Sequence, residues 1–295
     1  MKSIKVQRKE GINLKIFVTG ATGVIGTNLI PALIEKGYEV GGMTTSKEKV
    51  ALLQSLGATA YVGSVLEKEQ VQAAFQDFQP DFVIHQVTAL SNGSILDNAN
   101  VRKIGTRHVI DVVKELNVKR VIAQSIAWAY EPGETIATEE DPLDIHSTDK
   151  RRITIDGIVA LENTVQEIPN SVILRYGTLY GPGTWYGKDG IIAKQFMKGE
   201  MNVTDGVLSF IHVKDAVNAT VQAIGWKEGI YNIVDDTPVK GNVWVSYYAK
   251  QLHTLNPNYI DRKLPWERGA SNQKAKRIQG WKLLYPSWKD GFFVE

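Results

Sequence analysis

The sequence predicts an α/β fold: a doubly wound parallel sheet with a small C-terminal α/β lobe. Three observations predict it. Strand-like and helix-like segments alternate through the first half of the chain. A glycine-rich turn joins the first strand to the first helix. The regular alternation then breaks down after Tyr130.

The elements follow in order. Residues 15–19 are a short apolar run that ends at a glycine. Residues 24–36 carry Ile25, Leu29, Ile30, Leu33 and Ile34 at helical spacing, and Gly37 is placed to cap the C-terminus. Residues 38–44 read as the second strand, 47–55 as the second helix and 58–62 as the third strand. Residues 68–78 are a helix stopped by Pro80, and 81–88 a buried strand. Residues 100–116 form a long amphipathic helix, and 119–125 the fifth strand. Such alternation requires crossover connections, and it puts ligands at the carboxyl ends of the strands.

Residues 131–150 are rich in Gly, Pro, Asp, Glu and Thr and read as a loop over the sheet edge. Residues 154–167 are helical and 171–175 form the sixth strand. Residues 176–190 hold five glycines among four aromatics, too many breakers for a regular element. A strand at 229–234 and a helix at 243–252 follow. The expected organisation is a basic extension at 1–14, a sheet domain at 15–175 with a return segment near 207–235, and a lobe from 176–206 and 236–295.

Composition narrows the function. Hydrophobic residues are 43% and charged residues 22% of 295, the balance of a globular protein. A net charge of +2 gives no electrostatic case for nucleic acid or an anionic membrane. Cysteine is absent, which excludes disulfides, thiolate nucleophiles and Cys-ligated metals. No apolar run approaches the roughly 18 residues of a membrane span, and a cytoplasmic protein is expected. The five histidines show no metal-ligand spacing.

The strongest motif is Val18-Thr19-Gly20-Ala21-Thr22-Gly23-Val24-Ile25-Gly26, with its glycines spaced three and three between a strand and a helix. That is the context of a Rossmann dinucleotide loop. Gly20 permits the tight turn, Gly23 lets the backbone approach a pyrophosphate, and Gly26 lets the helix pack on the sheet. The N–H groups of Thr22, Val24 and Ile25 open toward the phosphates. An NAD site usually ends its second strand with an acid, but here the residues are Thr44, Thr45, Ser46 and Lys47. Hydroxyls and lysines suit a 2′-phosphate, so NADP is favoured and NAD stays possible. Thr45 and Ser46 could instead simply cap the next helix.

With these residues in view, the chain resembles the NAD(P)-dependent epimerase/dehydratase family, the extended short-chain dehydrogenases. Residues 80–89, 174–183, 210–216 and 229–233 carry the resemblance beside the glycine loop. It implies cofactor contacts at Gln86, Val87 and Thr88 after the fourth strand, at Ser125 in the fifth, and at Tyr176 and Gly177 after the sixth. The family's third strand ends in Gly-Asp. Here it reads Gly63-Ser64-Val65, so Ser64 and Val65 would replace the acid on the adenine side. The resemblance also implies a homodimer through the helices at 100–116 and 154–167.

One departure is larger. The family's chemistry needs a Tyr and a Lys one helical turn apart, and these positions fall on Thr154 and Ile158. The family's Ser or Thr after the fifth strand falls on Ile126, with Ser125 one before. Tyr285 and Lys289 have the right spacing but lie outside the Rossmann half. Ser125, Tyr130, Tyr176 and Tyr180 are then the candidate donors near a substrate, with His146 and Asp144 on the covering loop. A core role competes at each, and a packing role at Trp185 and Tyr186 competes with lining a small-molecule substrate. His85 reads as a satisfied core histidine, His212 and Asp215 as helix-start residues, and Trp266, Trp281 and Trp288 as core of the small lobe. Three readings stay open: an NAD(P)-dependent oxidoreductase with an atypical site, a non-catalytic dinucleotide sensor, and a nucleotide-sugar epimerase or dehydratase.

Overall fold

The computed structural model describes residues 14–90, 93–264 and 266–292, so the expected extension lies outside them except for Leu14. Seven strands form one parallel sheet: β1 (Lys15–Thr19), β2 (Glu39–Thr44), β3 (Thr59–Val62), β4 (Phe82–His85), β5 (Arg120–Ile126), β6 (Ser171–Tyr176) and β7 (Gly229–Ile233). Their order is β7-β6-β5-β4-β1-β2-β3. The winding reverses between β1 and β4, where Thr19 pairs with His85. A crevice opens beyond the carboxyl ends of such a pair.

The helices are α1 (Val24–Glu35), α2 (Val50–Ser55), α3 (Lys68–Phe78), α4 (Ile95–Asn100), α5 (Thr106–Glu115), α6 (Asp149–Val165), α7 (Ile191–Lys198), α8 (Val213–Gln222), α9 (Gly241–Gln251), α10 (Gln273–Gln279) and α11 (Trp288–Gly291). One face of the sheet is covered by α1 and α8, through Leu29, Ile30, Ala216 and Ala219 packed on Val18, Ile122 and Leu174. The other is covered by α3, α5 and α6, through Phe75, Val109 and Leu161 packed on Phe17, Val83 and Val121. A separate aromatic cluster of Phe196, Phe210, Trp244, Tyr248, Trp288 and Phe292 forms the lobe. Among the described residues no helix is long and apolar enough to cross a membrane.

Several expectations are corrected here. The strand expected to run to Thr88 ends at His85, because Gly20 turns β1 away and only the Gln86 N–H still reaches Thr19 O, at 3.1 Å. The helix expected from Asn100 starts at Ile95 behind a Ser94 cap, and it passes through a π-helical segment, Val101–Gly105, before α5. The segment after Ser46 opens with a 3₁₀ turn, and no side chain caps it. Trp281 belongs to the Rossmann core beside α1 and α8, not to the lobe. Trp288 is in the lobe cluster, and Trp266 is half-buried under Arg151.

His85 is a satisfied core residue. Its Nδ1 meets Thr19 Oγ1 at 2.7 Å and its Nε2 meets Thr106 Oγ1 at 3.1 Å, which ties β1, β4 and α5 together. Burial pushes its pKa down from 6.5 to about 4. Between those values the unfolded chain binds a proton that the folded chain refuses, so stability falls as the pH drops below 6.5, by up to about 3 kcal/mol. We predict that His85→Gln and wild type differ by a constant unfolding free energy above pH 6.5. Below it, the wild type loses ground as the pH falls toward 4. Parallel urea-derived stability curves across that range would refute this.

Candidate active site

The turn after β1 is built on close backbone approach. Gly20 has φ +73°, and a Cβ there would sit 2.7 Å from the Gln86 carbonyl. A Cβ on Gly26 would sit 2.5 Å from the carbonyl oxygens of Gly20 and Ala21. Both glycines are therefore dictated by close backbone approach. Gly23 is different: it is exposed, and a Cβ there would meet only Gly20 O, at 3.3 Å. Its open side faces outward at the N-cap of α1. No side chain caps that terminus and no acid stands in the first turn. The amides of Val24 and Ile25 thus present partial positive charge to an anion.

The surrounding expected contacts are arranged as follows. Thr22 Oγ1 and Thr44 Oγ1 meet at 3.2 Å across the turn, and Thr44 Oγ1 accepts the Ser46 N–H at 3.3 Å. Thr45, Lys47 and Lys49 are exposed. Ser46 donates to Glu48 at 2.5 Å, and that hydrogen bond holds the Glu48 carboxyl below its usual range. Glu48 is an acid that the strand-end rule overlooked, because it comes four residues late. Ser64 turns its hydroxyl onto the Leu66 N–H, and Val65 is buried against Gly105. Gln86 donates to Tyr176 Oη at 3.4 Å, with its Oε1 unpartnered; Val87 and Thr88 are half-buried. Gly177 is buried, and a Cβ there would strike Ser209 O at 2.6 Å, so close packing accounts for this glycine.

Of the candidate catalytic residues, Ser125, Tyr130 and Tyr176 are each buried and hydrogen-bonded within the fold. Ser125 is 1% exposed and donates to Glu162 Oε1 at 2.6 Å. Glu162 also holds Arg175 through two bonds, of 2.9 and 2.6 Å. The Arg175 guanidinium lies over the Tyr130 ring at 4.9 Å, and Tyr130 Oη donates to Asn232 at 2.6 Å. Tyr176 Oη meets Thr220 Oγ1 at 2.5 Å, and the Thr220 hydroxyl donates a hydrogen bond to Ala216 O. Burial pushes both phenols up to about 12. Each of these groups is buried. The signal for Glu162 was present in the sequence as an acid on the buried face of a helix, but its two partners come from different strands.

The remaining candidates divide. Tyr180 is buried in the lobe against Phe210 and Phe292. Asp144 is pinned to Arg151 at 2.5 Å, while His146 on the same loop is exposed. Tyr186 packs on Phe210 and Trp244, and Trp185 is 50% exposed. His212 caps α8 by accepting the Lys214 N–H, and Asp215 accepts the N–H groups of Leu284 and Tyr285. Among the described residues no cluster could hold a metal ion.

The wall that α6 presents to this end of the sheet is apolar. Ile126, Ala129, Ile155 and Ile158 form one buried cluster, with Trp128, Leu143 and Val159 against it. Ile158 is fully buried, and Thr154, half-buried, is a turn before it. Neither an aliphatic side chain nor a threonine titrates near neutral pH, so this wall offers no acid or base.

The model of the NAD dependent epimerase/dehydratase family matches residues 16–233. The chain belongs to this family. One relative is a Streptomyces 3-diazoavenalumate denitrifying reductase, 33% identical over 94% of this chain and 99% of its own length. Another is a Streptomyces dTDP-4-dehydro-6-deoxy-D-allose reductase, 28% identical over 71% of this chain and 72% of its own. The fold is shared with UDP-glucose 4-epimerase from Thermotoga maritima (TM-score 0.76, 23% identity, 95% and 96% coverage). It is also shared with the Bordetella bronchiseptica enzyme WbmG in complex with NAD and UDP (TM-score 0.79, 21% identity, 96% and 92% coverage). Within this family of epimerases and dehydratases, the present chain is an NAD(P)-dependent oxidoreductase.

The Ser125–Glu162–Arg175 network makes a stability prediction. Glu162→Leu leaves the buried Arg175 cation without its counter-charge and should cost about 3–5 kcal/mol in urea unfolding. Ser125→Ala removes one bond and should cost about 1–2 kcal/mol, while hydride transfer in the folded variant stays within twofold of wild type. A hundredfold loss of turnover in a stable Ser125→Ala protein would return Ser125 to the active site.

Proposed function

We propose that this oxidoreductase passes a hydride to a small acceptor that needs no proton from a side chain on α6. The observation that carries the reading is the apolar wall of Ile126, Ile155 and Ile158 where an acid or base would be required. The turn from Gly20 to Gly26 binds the pyrophosphate with its amides, and the crevice beside β4 receives the nicotinamide end. When bound, the dinucleotide supplies the hydride. Packed against one another, the isoleucines leave no titratable group at that position.

Reduction of a ketone leaves an alkoxide that must be protonated, and loss of a positioned acid costs about 10²–10⁴ in rate. Sugar epimerisation begins with removal of a hydroxyl proton, which Thr154 cannot perform. A diazonium acceptor avoids both demands. Hydride forms the new C–H bond, the C–N pair departs with dinitrogen, and no proton is needed. The relative named as a denitrifying reductase of a diazo compound supports this class. We propose NADP over NAD, supported by Thr44 at the strand end and the exposed Lys47 and Lys49. Glu48, hydrogen-bonded to Ser46, weighs against it but is not at the strand end.

The test uses NADPH and an arenediazonium salt. NADPH absorbance loss should match dinitrogen release one to one, and deuterium from the labelled C4 position should appear on the product carbon. Gly23→Asp, placed where a Cβ points outward, should fold normally, lose nucleotide binding in a fluorescence titration and fall to the uncatalysed rate. In wild type that titration should show NADPH bound about tenfold tighter than NADH. Turnover of simple ketones with none of the diazonium would overturn the proposal.

We also propose a homodimer through α4, α5 and α6, supported by the exposed apolar residues Ile95 and Leu96 on α4 and Ile104 in the π-helical segment between α4 and α5. Sedimentation at micromolar concentration should report twice the chain mass, and a single-chain mass would dismiss it.

A further inference from the structure

Asn98, Arg102 and Thr106 stand four residues apart on the buried side of the helix that runs from α4 into α5. Asn98 Oδ1 accepts the N–H of Ala89, in the loop after β4, at 3.0 Å. Thr106 Oγ1 meets Nε2 of His85, the last residue of β4, at 3.1 Å. Arg102 lies between these two anchors, so it stands beside residues 86–88, where β4 opens into the crevice. It falls in the π-helical segment Val101–Gly105, an irregularity common at functional sites. The helix is held close to α6: a Cβ on Gly157 would lie 3.2 Å from the Ala99 Cα, one residue before Ile158 of the apolar wall.

Arg102 is 5% exposed, and among the described residues its guanidinium makes no hydrogen bond or ion pair. The other buried arginines are partnered. Arg175 is held by Glu162, Arg151 by Asp144, and Arg120 by Asn170 and the Trp226 carbonyl. Burial alone acts on Arg102 and brings its pKa down to about 10, so it keeps its charge at neutral pH. A buried cation that makes no hydrogen bond and has no counter-ion is destabilising, a cost that an anionic ligand would relieve.

We propose that Arg102 anchors an anionic group of the substrate, a carboxylate, at the mouth beside β4. A carboxylate both neutralises the charge and accepts two parallel N–H bonds, whereas neutral hydroxyls would leave the charge uncompensated. The diphosphate is accounted for on the opposite face of the sheet, at the N-terminus of α1. This deepens the reading of the crevice as a hydride-transfer site and rests on it for the word substrate. The anion binding itself requires no nucleotide.

The experiment compares benzoate with benzamide on the whole protein by calorimetry and thermal melting, without nucleotide. Wild type should bind benzoate at least tenfold tighter than benzamide. Arg102→Met should abolish that preference, melt no lower than wild type without ligand, and keep its NADPH affinity within twofold. Arg102→Lys should retain part of the preference. No benzoate preference in wild type, or the same preference in Arg102→Met, overturns the proposal. So does a tenfold loss of NADPH affinity in Arg102→Met, which would put Arg102 on the nucleotide. A wild type that takes up benzoate but not NADPH would instead sink the dinucleotide reading and leave the anion site standing.

Discussion

The buried Glu162 carboxylate organises this end of the molecule. It sits on α6 at 2% exposure and receives hydrogen bonds from Ser125 on β5 and Arg175 on β6. An uncompensated carboxylate could not stay there, nor could an uncompensated guanidinium. The pair therefore fixes α6 over two strands at once, and Arg175 in turn lies on the Tyr130 ring. The consequence is chemical as well as structural. The Ser125 hydroxyl and the Tyr130 ring, both candidates for the chemistry, are hydrogen-bonded or packed into this network.

Beside this network, the Ile155 and Ile158 positions of α6 carry only hydrocarbon. An apolar wall is poor support for reactions that create or destroy a charge on oxygen. It suits a transfer in which the leaving group departs neutral. The polar features of the crevice are then divided between two faces of the sheet. Backbone amides at α1 face one side, and the Arg102 cation stands on the other.

Much of the fold was legible because it rests on local periodicity. Residues 15–19, 24–36 and 68–78 carry their burial pattern in order along the chain, and the structure returns them within a residue or two. Errors came where a neighbour overrode the local signal. β4 stops early because Gly20 removes its pairing partner, and the helix before β5 starts early because Ser94 caps it. Trp281 was assigned to the lobe by its position near the C-terminus, yet it packs beside Trp226 and Tyr231 in the Rossmann core.

The site divides in the same way. The sequence by itself determined the glycine turn, the missing Tyr and Lys, and the absence of thiol chemistry, because residue type and spacing suffice for each. Only the tertiary structure decided that Ser125, Tyr130 and Tyr176 are buried and hydrogen-bonded within the fold, and that Arg102 is buried with no partner among the described residues. Those facts depend on which atoms face one another across β5, β6, α6 and α8. Separations of 37 residues between Ser125 and Glu162, or 44 between Tyr176 and Thr220, carry no local pattern. The physical reason is that a hydrogen bond or a charge is satisfied in space, whereas periodicity records only which side of an element is dry.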